Sequence, residues 1–211
     1  KGISVGCHDH SSPLKLLSGI ENSCNAYFCN VFRRILEDPE FASVTDAYNS
    51  WRNYVVQFGF GSRLNTDLTS ELRGFIAPSS YYDRYYGAHR WSALTVISLA
   101  IGQGELLITP IQMANMAAAI GNKGFYYTPH VVKEIEGIDT LDHRFTSKHK
   151  VQIDTAHFTL VKEGMYLAVN GGPGRTAGIA QLSNISVCGK TGTAQNPHGD
   201  DHSVFVAFAP K

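Results

Sequence analysis

Charge is sparse in this chain: 17% of its 211 residues are charged, and eighteen basic side chains meet eighteen acidic ones for a formal net charge of zero. Such a balance projects no field that would gather a nucleic acid or an anionic membrane surface, so no nucleic-acid partner is expected and any partner must be recognised at a local site. Cysteine is scarce too. Cys7, Cys24, Cys29 and Cys188 are too few and too scattered for the disulfide framework of a small secreted domain. Cys24 and Cys29 stand five apart, which on one helix points them to different faces and argues against a mutual bridge. Long apolar runs are missing: the uncharged apolar stretch Trp91 to Gly102 falls well short of the roughly 20 residues that span a bilayer. Neither a signal peptide nor an initiating methionine opens the chain. It starts at Lys1 and stops just past the apolar "SVFVAFAP", which predicts a piece of something longer.

What is present suffices for a soluble globular chain with a sizeable core, since 43% of the residues are hydrophobic. Apolar residues recur at helical spacing from Pro13 to Leu36, with Ser12 as cap, Pro13 at the first turn and Asp38-Pro39 beyond the end. A second helix is expected over Thr45 to Phe58, a third from Pro110 to about Ile120, stopping at Gly121 or Gly124, and a fourth near Ala156 to Val169. Residues 59–90 read as tyrosine-rich connection, "TPHVVKEI" as extended, and "NGGPGRTAG" as a loop. Last comes a hairpin, Ile185 to Gln195 and Ser203 to Ala209, joined by "NPHGDD". Helices first and an antiparallel hairpin last predict an α+β layering. No repeat or linker divides the chain, so residues 1–211 count as one domain.

Two short motifs carry chemistry. In "VCGKTGTAQNP" strand alternation puts Lys190 and Gly192 on one side and Thr191 and Thr193 on the other, with Gly192 leaving room for another backbone. A strand of this kind can align an extended peptide by main-chain hydrogen bonds while the lysine and threonines receive a carboxylate or a developing oxyanion; the plain alternative is an exposed hairpin strand. In "SCN", Ser23 would relay a proton near a lysine and the Asn25 amide would hold a peptide group. Asn25 inside an apolar helix is costly unless the helix breaks there or the amide finds a partner. A third cluster, "GCHDHSSP", brings Cys7, His8 and His10 within four residues. Cys7, His10 and Cys24 would hold a structural zinc ion if the loop folds back along the helix, with Asp9, or a carboxylate from a segment upstream, as a fourth ligand.

S-x-N followed by K-T-G belongs to the motif set of penicillin-binding proteins and β-lactamases. With "SCNAYFCNVF", "FGFGSRLNTDLTSELRG", "IGQGELLITPIQMANMAAAIGNKG", "GRTAG" and "KTGTAQNPHGDDHSVFVAFAP", nearly the whole chain resembles the transpeptidase domain of class B penicillin-binding proteins, most of all the penicillin-binding protein 2 group. The resemblance implies a penicillin-recognising, serine β-lactamase-like fold, a helical region on an antiparallel sheet, here a partial transpeptidase domain truncated at both ends. The implied activity is D,D-transpeptidation of peptidoglycan stem peptides ending in D-Ala-D-Ala, by a serine enzyme that β-lactams acylate. Ser23, Asn25 and Lys190 would be catalytic; Thr191, Gly192 and Thr193 would bind substrate, the Thr193 N–H joining the oxyanion hole. No cofactor is required for the reaction. A glycosyltransferase and other elongation-complex proteins are the implied partners, and the periplasmic face of the inner membrane, through an N-terminal anchor, the implied location. A β-lactam-sensing receptor domain and a serine β-lactamase relative share the motifs. One departure stands out: the family's S-x-x-K lies several dozen residues ahead of S-x-N, and no such stretch lies there, so the chain as given is expected to be inactive. Ser12-Pro13-Leu14-Lys15 sits too close to Ser23 and Ser147-Lys148-His149-Lys150 falls in the wrong order, in a charged loop.

Overall fold

The first helical stretch is two helices, not one. In the computed structural model, which describes residues 5–7, 9–196 and 198–211, α1 covers Leu16–Glu21 and α2 covers Asn25–Leu36. Helix α1 starts after Lys15, so Ser12 does not cap it and Pro13 lies ahead of its first turn. The break has a local cause. Ser23 N–H donates to Ile20 O and Cys24 N–H to Gly19 O, the paired bonds of a Schellman motif, which end α1 and satisfy its last carbonyls. Cys24 then turns into the N-cap of α2, its sulfur accepting from the Tyr27 N–H at 3.3 Å.

Elsewhere the helices sit close to their expected positions. Helix α3 (Val44–Val56) is capped by Ser43 and followed by the short strand β1 (Phe75–Ile76) and α4 (Ser79–Tyr86), both inside the segment expected to be irregular. After a 3-10 turn at Ile97–Ile101, strand β2 (Leu106–Leu107) pairs with β1, and α5 (Pro110–Gly121) begins on a capping box of Thr109 and Gln112 with proline in its first turn. Strand β3 (Phe125–Tyr127) stands just ahead of "TPHVVKEI", and after the one-turn α6 (His143–Thr146) it pairs with β4 (Lys148–Lys150), the stretch expected to be a charged loop. Helix α7 (Thr155–Asn170) leads to the hairpin of β5 (Cys188–Ala194) and β6 (His202–Phe208), in register from Cys188↔Phe208 to Ala194↔His202. No described helix is long and apolar enough to cross a membrane.

The apolar residues form two main clusters. One gathers Phe32, Leu36, Tyr48, Tyr82, Trp91 and Leu99 around α2, α3, α4 and the 3-10 turn. The other gathers Ile20, Ile120, Phe158, Met165 and Cys188 where α1, α5 and α7 lie on the hairpin. Helices α1 and α7 approach through Gly164, where a Cβ would stand 2.6 Å from Ile20 Cδ1. Helix α2 joins the two clusters, with Phe32 buried in the first and Phe28 packed on the second. Its N-terminal end, where Asn25 begins the helix just after Ser23, thereby faces the K-T-G strand.

Candidate active site

Ser23 sits in the left-handed region, φ 52°, at the position of the Schellman motif where glycine is usual. A side chain there costs on the order of 1–3 kcal/mol, a strain typical of sites where geometry is dictated by function. What it obtains is orientation. Lys190, 167 residues away, donates from Nζ to Ser23 Oγ at 2.6 Å and to the carbonyl of Thr191 at 2.8 Å. Among the described residues no carboxylate pairs with this ammonium; the ion pairs are Arg33–Glu37, Arg144–Asp142 and Lys211–Glu163. Burial without a counter-charge favours the neutral amine and brings the Lys190 pKa down from 10.5 to about 8. An incoming anion would meet a cation that has little else to bind.

A cavity of about 310 Å³ opens over this pair. Ser23, Asn25 and Phe28 form one wall, Ala100, Ile101 and Gln103 another, and Lys190, Thr191, Gly192 and Thr193 the third. Strand alternation divides those last four residues between two faces, yet all four border the cavity. The reason is that β5 presents its edge, not a face: its pairing with β6 occupies the opposite edge. Gly192 has a related meaning. A Cβ there would come no nearer to the rest of the chain than 3.9 Å, from Val204 Cβ, so the fold itself does not demand glycine and the freed space lies open to a ligand.

Asn25 also lines the cavity. It is the first residue of α2 rather than an interior one, so its amide interrupts no helix; Nδ2 donates to the Gly6 carbonyl at 3.1 Å. That bond folds the N-terminal segment back along α2. Cys7 Sγ and His10 Nε2 lie 3.3 Å apart, and the ligand atoms of Cys7, His10 and Cys24 all fall within 4.8 Å of one another. Burial pushes the Cys7 thiol up, but hydrogen bonds from Cys24, His10 and the backbone at Ala26 and Asn25 bring it down to about 7, while burial raises Cys24. His10 is raised by the Ser11 carbonyl and by Cys7. Two sulfurs and an imidazole that already converge are the donor set a zinc ion takes, so the residues fit the metal. Asp9 is not in this group and borders a separate cavity with His10. His8 lies outside the described residues.

Sequence reasoning left Phe28, Ala100, Ile101 and Gln103 without a role. A signal for Gln103 was available in "GQG": Gly102 and Gly104 both take positive φ, 75° and 77°, which forces the turn that presents the amide between them. The two S-x-x-K stretches stay away from the cavity. Ser147 Oγ donates to the His143 carbonyl and Lys148–Lys150 is strand β4; neither Ser12 nor Lys15 is among the residues that line the cavity.

Residues 3–211 match the family described as "Penicillin binding protein transpeptidase domain". The chain belongs to this family. Its sequence is 31% identical over 182 residues to the peptidoglycan D,D-transpeptidase MrdA of Acinetobacter baumannii, covering 78% of this chain and 26% of that one. Its fold matches the crystal structure of Pseudomonas aeruginosa PBP2 in complex with WCK 5153, with a TM-score of 0.73 and 30% identity over 93% of this chain and 41% of the other. It also matches penicillin-binding protein 3 of Mycobacterium tuberculosis complexed with ampicillin, with a TM-score of 0.69 and 26% identity over 92% and 41% of the two chains. The penicillin-binding protein transpeptidase fold, α+β with helices on an antiparallel hairpin, is therefore the fold of this chain. It spans from about a quarter to about two fifths of the length of these relatives.

Proposed function

We propose that the full-length protein is a serine-type D,D-transpeptidase of cell-wall elongation, acting on peptidoglycan stem peptides and acylated by β-lactams. The observation that carries this reading is the contact of Lys190 Nζ with Ser23 Oγ at 2.6 Å inside an open cavity. The pair forms a proton path: Lys190 passes a proton through the Ser23 hydroxyl to the amine leaving the scissile D-alanyl bond. Asn25 holds the donor peptide. Thr191 and Thr193 receive its terminal carboxylate beside the Lys190 cation, and the Thr193 N–H stabilises the oxyanion. The free edge of β5 lets the donor lie alongside as an added strand. The nucleophile itself is a serine of an S-x-x-K element that these residues do not supply. The Mycobacterium tuberculosis relative complexed with ampicillin supports β-lactam recognition, as a β-lactam resembles D-alanyl-D-alanine. Membrane anchoring at the periplasmic face and assembly with a glycosyltransferase and elongation proteins follow from the same family reading.

Acylation of the full-length protein by a fluorescent penicillin, followed from about pH 6 to 10, tests the role of the lysine. Lys190 is a cation below its pKa of about 8 and neutral above it. The acylation rate constant should therefore hold below that pH and fall above it. Lys190→Arg, which stays protonated, should shift that limb to higher pH. No alkaline limb near pH 8, or one that Lys190→Arg leaves in place, would remove the Lys190 charge from the mechanism.

We also propose that Cys7, His10 and Cys24 hold a structural zinc ion. When bound, it would tie the N-terminal segment to the helix break and so fix Ser23 and Asn25, with no part in the chemistry. Protein purified without a histidine tag should contain about one equivalent of zinc, and a chelator should lower its melting temperature by several degrees. Less than about a tenth of an equivalent, with a melting temperature indifferent to chelator, would exclude the site.

A further inference from the structure

We propose that an aromatic ledge next to the catalytic cavity binds the saccharide portion of peptidoglycan. The inference rests on the transpeptidase reading above and deepens it, because it concerns where the part of the substrate far from the scissile bond is held. Gln103 is the link. It lines the catalytic cavity and also a second, adjoining cleft of about 650 Å³, whose polar wall includes Asp201 and whose apolar wall includes Leu107 of β2. Leu107 lies opposite Phe75 in the β1–β2 pair, which puts both side chains on one face. The Phe75 ring meets that of Tyr81 edge-on at 5.8 Å, and Tyr81 lies 4.8 Å from Tyr85. A strip of apolar and aromatic side chains thus runs outward from the cleft along α4, ending on Tyr85, which is 67% exposed; Leu107 is 64% exposed.

Single exposed apolar residues are ordinary, but here two of them, Leu107 and Tyr85, are joined through the half-buried rings of Phe75 and Tyr81, which rest on the first hydrophobic cluster, into a row that begins at the cleft adjoining the catalytic cavity, and a row so placed suits a binding surface. Its chemistry selects the occupant. A pyranose ring offers C–H faces that lie against an aromatic ring while its hydroxyls stay in water or bond to a tyrosine O–H, and tyrosine combines those two properties. The row is also narrow. Four side chains are too few for a stable protein interface, which takes roughly 20–30 residues a side, but they suit one or two sugar rings. The ledge is rigid before any ligand arrives: the Tyr81 ring packs edge-on against the buried ring of Tyr82 at 5.4 Å, so little ordering is needed on binding. A stem peptide whose D-alanyl end reaches Lys190 would pass Gln103 and Asp201 and place its attached sugar against Tyr81 and Tyr85.

The test uses the full-length protein and two probes measured by calorimetry or saturation-transfer NMR: peptide-free peptidoglycan glycan strands, and the free stem pentapeptide. Glycan strands should bind the unaltered protein. Tyr85→Ala combined with Leu107→Ala should weaken that binding about five- to tenfold relative to binding of the pentapeptide, and Tyr85→Phe should retain most of it. Absence of glycan binding by the unaltered protein would overturn the proposal. So would a double variant with unaltered glycan affinity, or one in which both probes weaken equally. A protein that binds glycan at Tyr85 yet is not acylated by penicillin would instead sink the transpeptidase reading, so the two failures are told apart.

Discussion

Replacing Lys190 by alanine in the full-length protein should lower the rate constant for acylation by a labelled penicillin by on the order of 10²-fold or more, the size of effect seen when one preorganised electrostatic contact is removed from a transition state. Three losses coincide in this one change. The Ser23 hydroxyl loses the donor that holds it at 2.6 Å, the proton path to the leaving amine is cut, and the cavity loses the only cation that lines it among the described residues. The variant should fold at least as well, because it removes a cation that burial already disfavours. A stopped-flow or gel-based acylation assay measures the rate, and a melting curve checks the fold. A rate within about threefold of the unaltered protein, with the fold intact, would take the K-T-G strand out of the mechanism.

Gln112→Leu should destabilise the fold by about 3–6 kcal/mol and lower the melting temperature by about 10 °C. Gln112 is fully buried, at 0% exposure, and its amide nitrogen donates to the carbonyls of Gly59, Ser62 and Arg73 at 3.0, 2.9 and 3.0 Å. Its oxygen accepts from the Thr109 N–H at 3.1 Å, closing the capping box of α5. Leucine fills a similar volume but takes the donor away from carbonyls at three points of one connection, that of Gly59 buried and those of Ser62 and Arg73 partly so. That connection runs from α3 to β1, so its loosening should also disturb β1 and, through their pairing, the strand β2 that walls the second cleft. Calorimetric melting of the variant decides the matter; a shift under about 2 °C would show that water replaces the amide at these carbonyls.

The two predictions differ in how far their residues could be read beforehand. Lys190 announces itself through K-T-G, a motif whose residue types already state a chemistry. Gln112 looks like any polar residue in the first turn of α5; its role as a capping-box member is foreseeable three residues after Thr109, but the sharing of its two amide hydrogens among three carbonyls of residues 59–73 is not. Ser23 lies between these cases. S-x-N marked it, yet the helical spacing of Leu16, Leu17, Ile20, Cys24, Tyr27 and Phe28 ran straight through it. Periodicity cannot see the Schellman break, because the apolar residues of α1 and α2 remain nearly in phase across it. Asn25, a costly side chain in an uninterrupted apolar helix, was the residue that pointed to the break.

By itself the sequence determined the helices α3, α5 and α7, the closing hairpin, the α+β layering and the identity of the residues that carry chemistry. All of these depend on neighbours within a few positions: caps such as Ser43, Thr109 and Asp154, proline at the start of α5, alternation along β5 and β6. Only the tertiary structure decided that Lys190 meets Ser23, that β5 offers an edge to the cavity, that Gln103 stands between two clefts, and that Cys7, His10 and Cys24 converge. The first of these joins segments far apart in the chain, brought together by the packing of α2 between two hydrophobic clusters, and the last depends on the bond from Asn25 to the Gly6 carbonyl that folds the N-terminal segment back. Local spacing is set by backbone geometry, whereas encounters at a distance are set by which apolar faces bury each other, and the second cannot be read from the first.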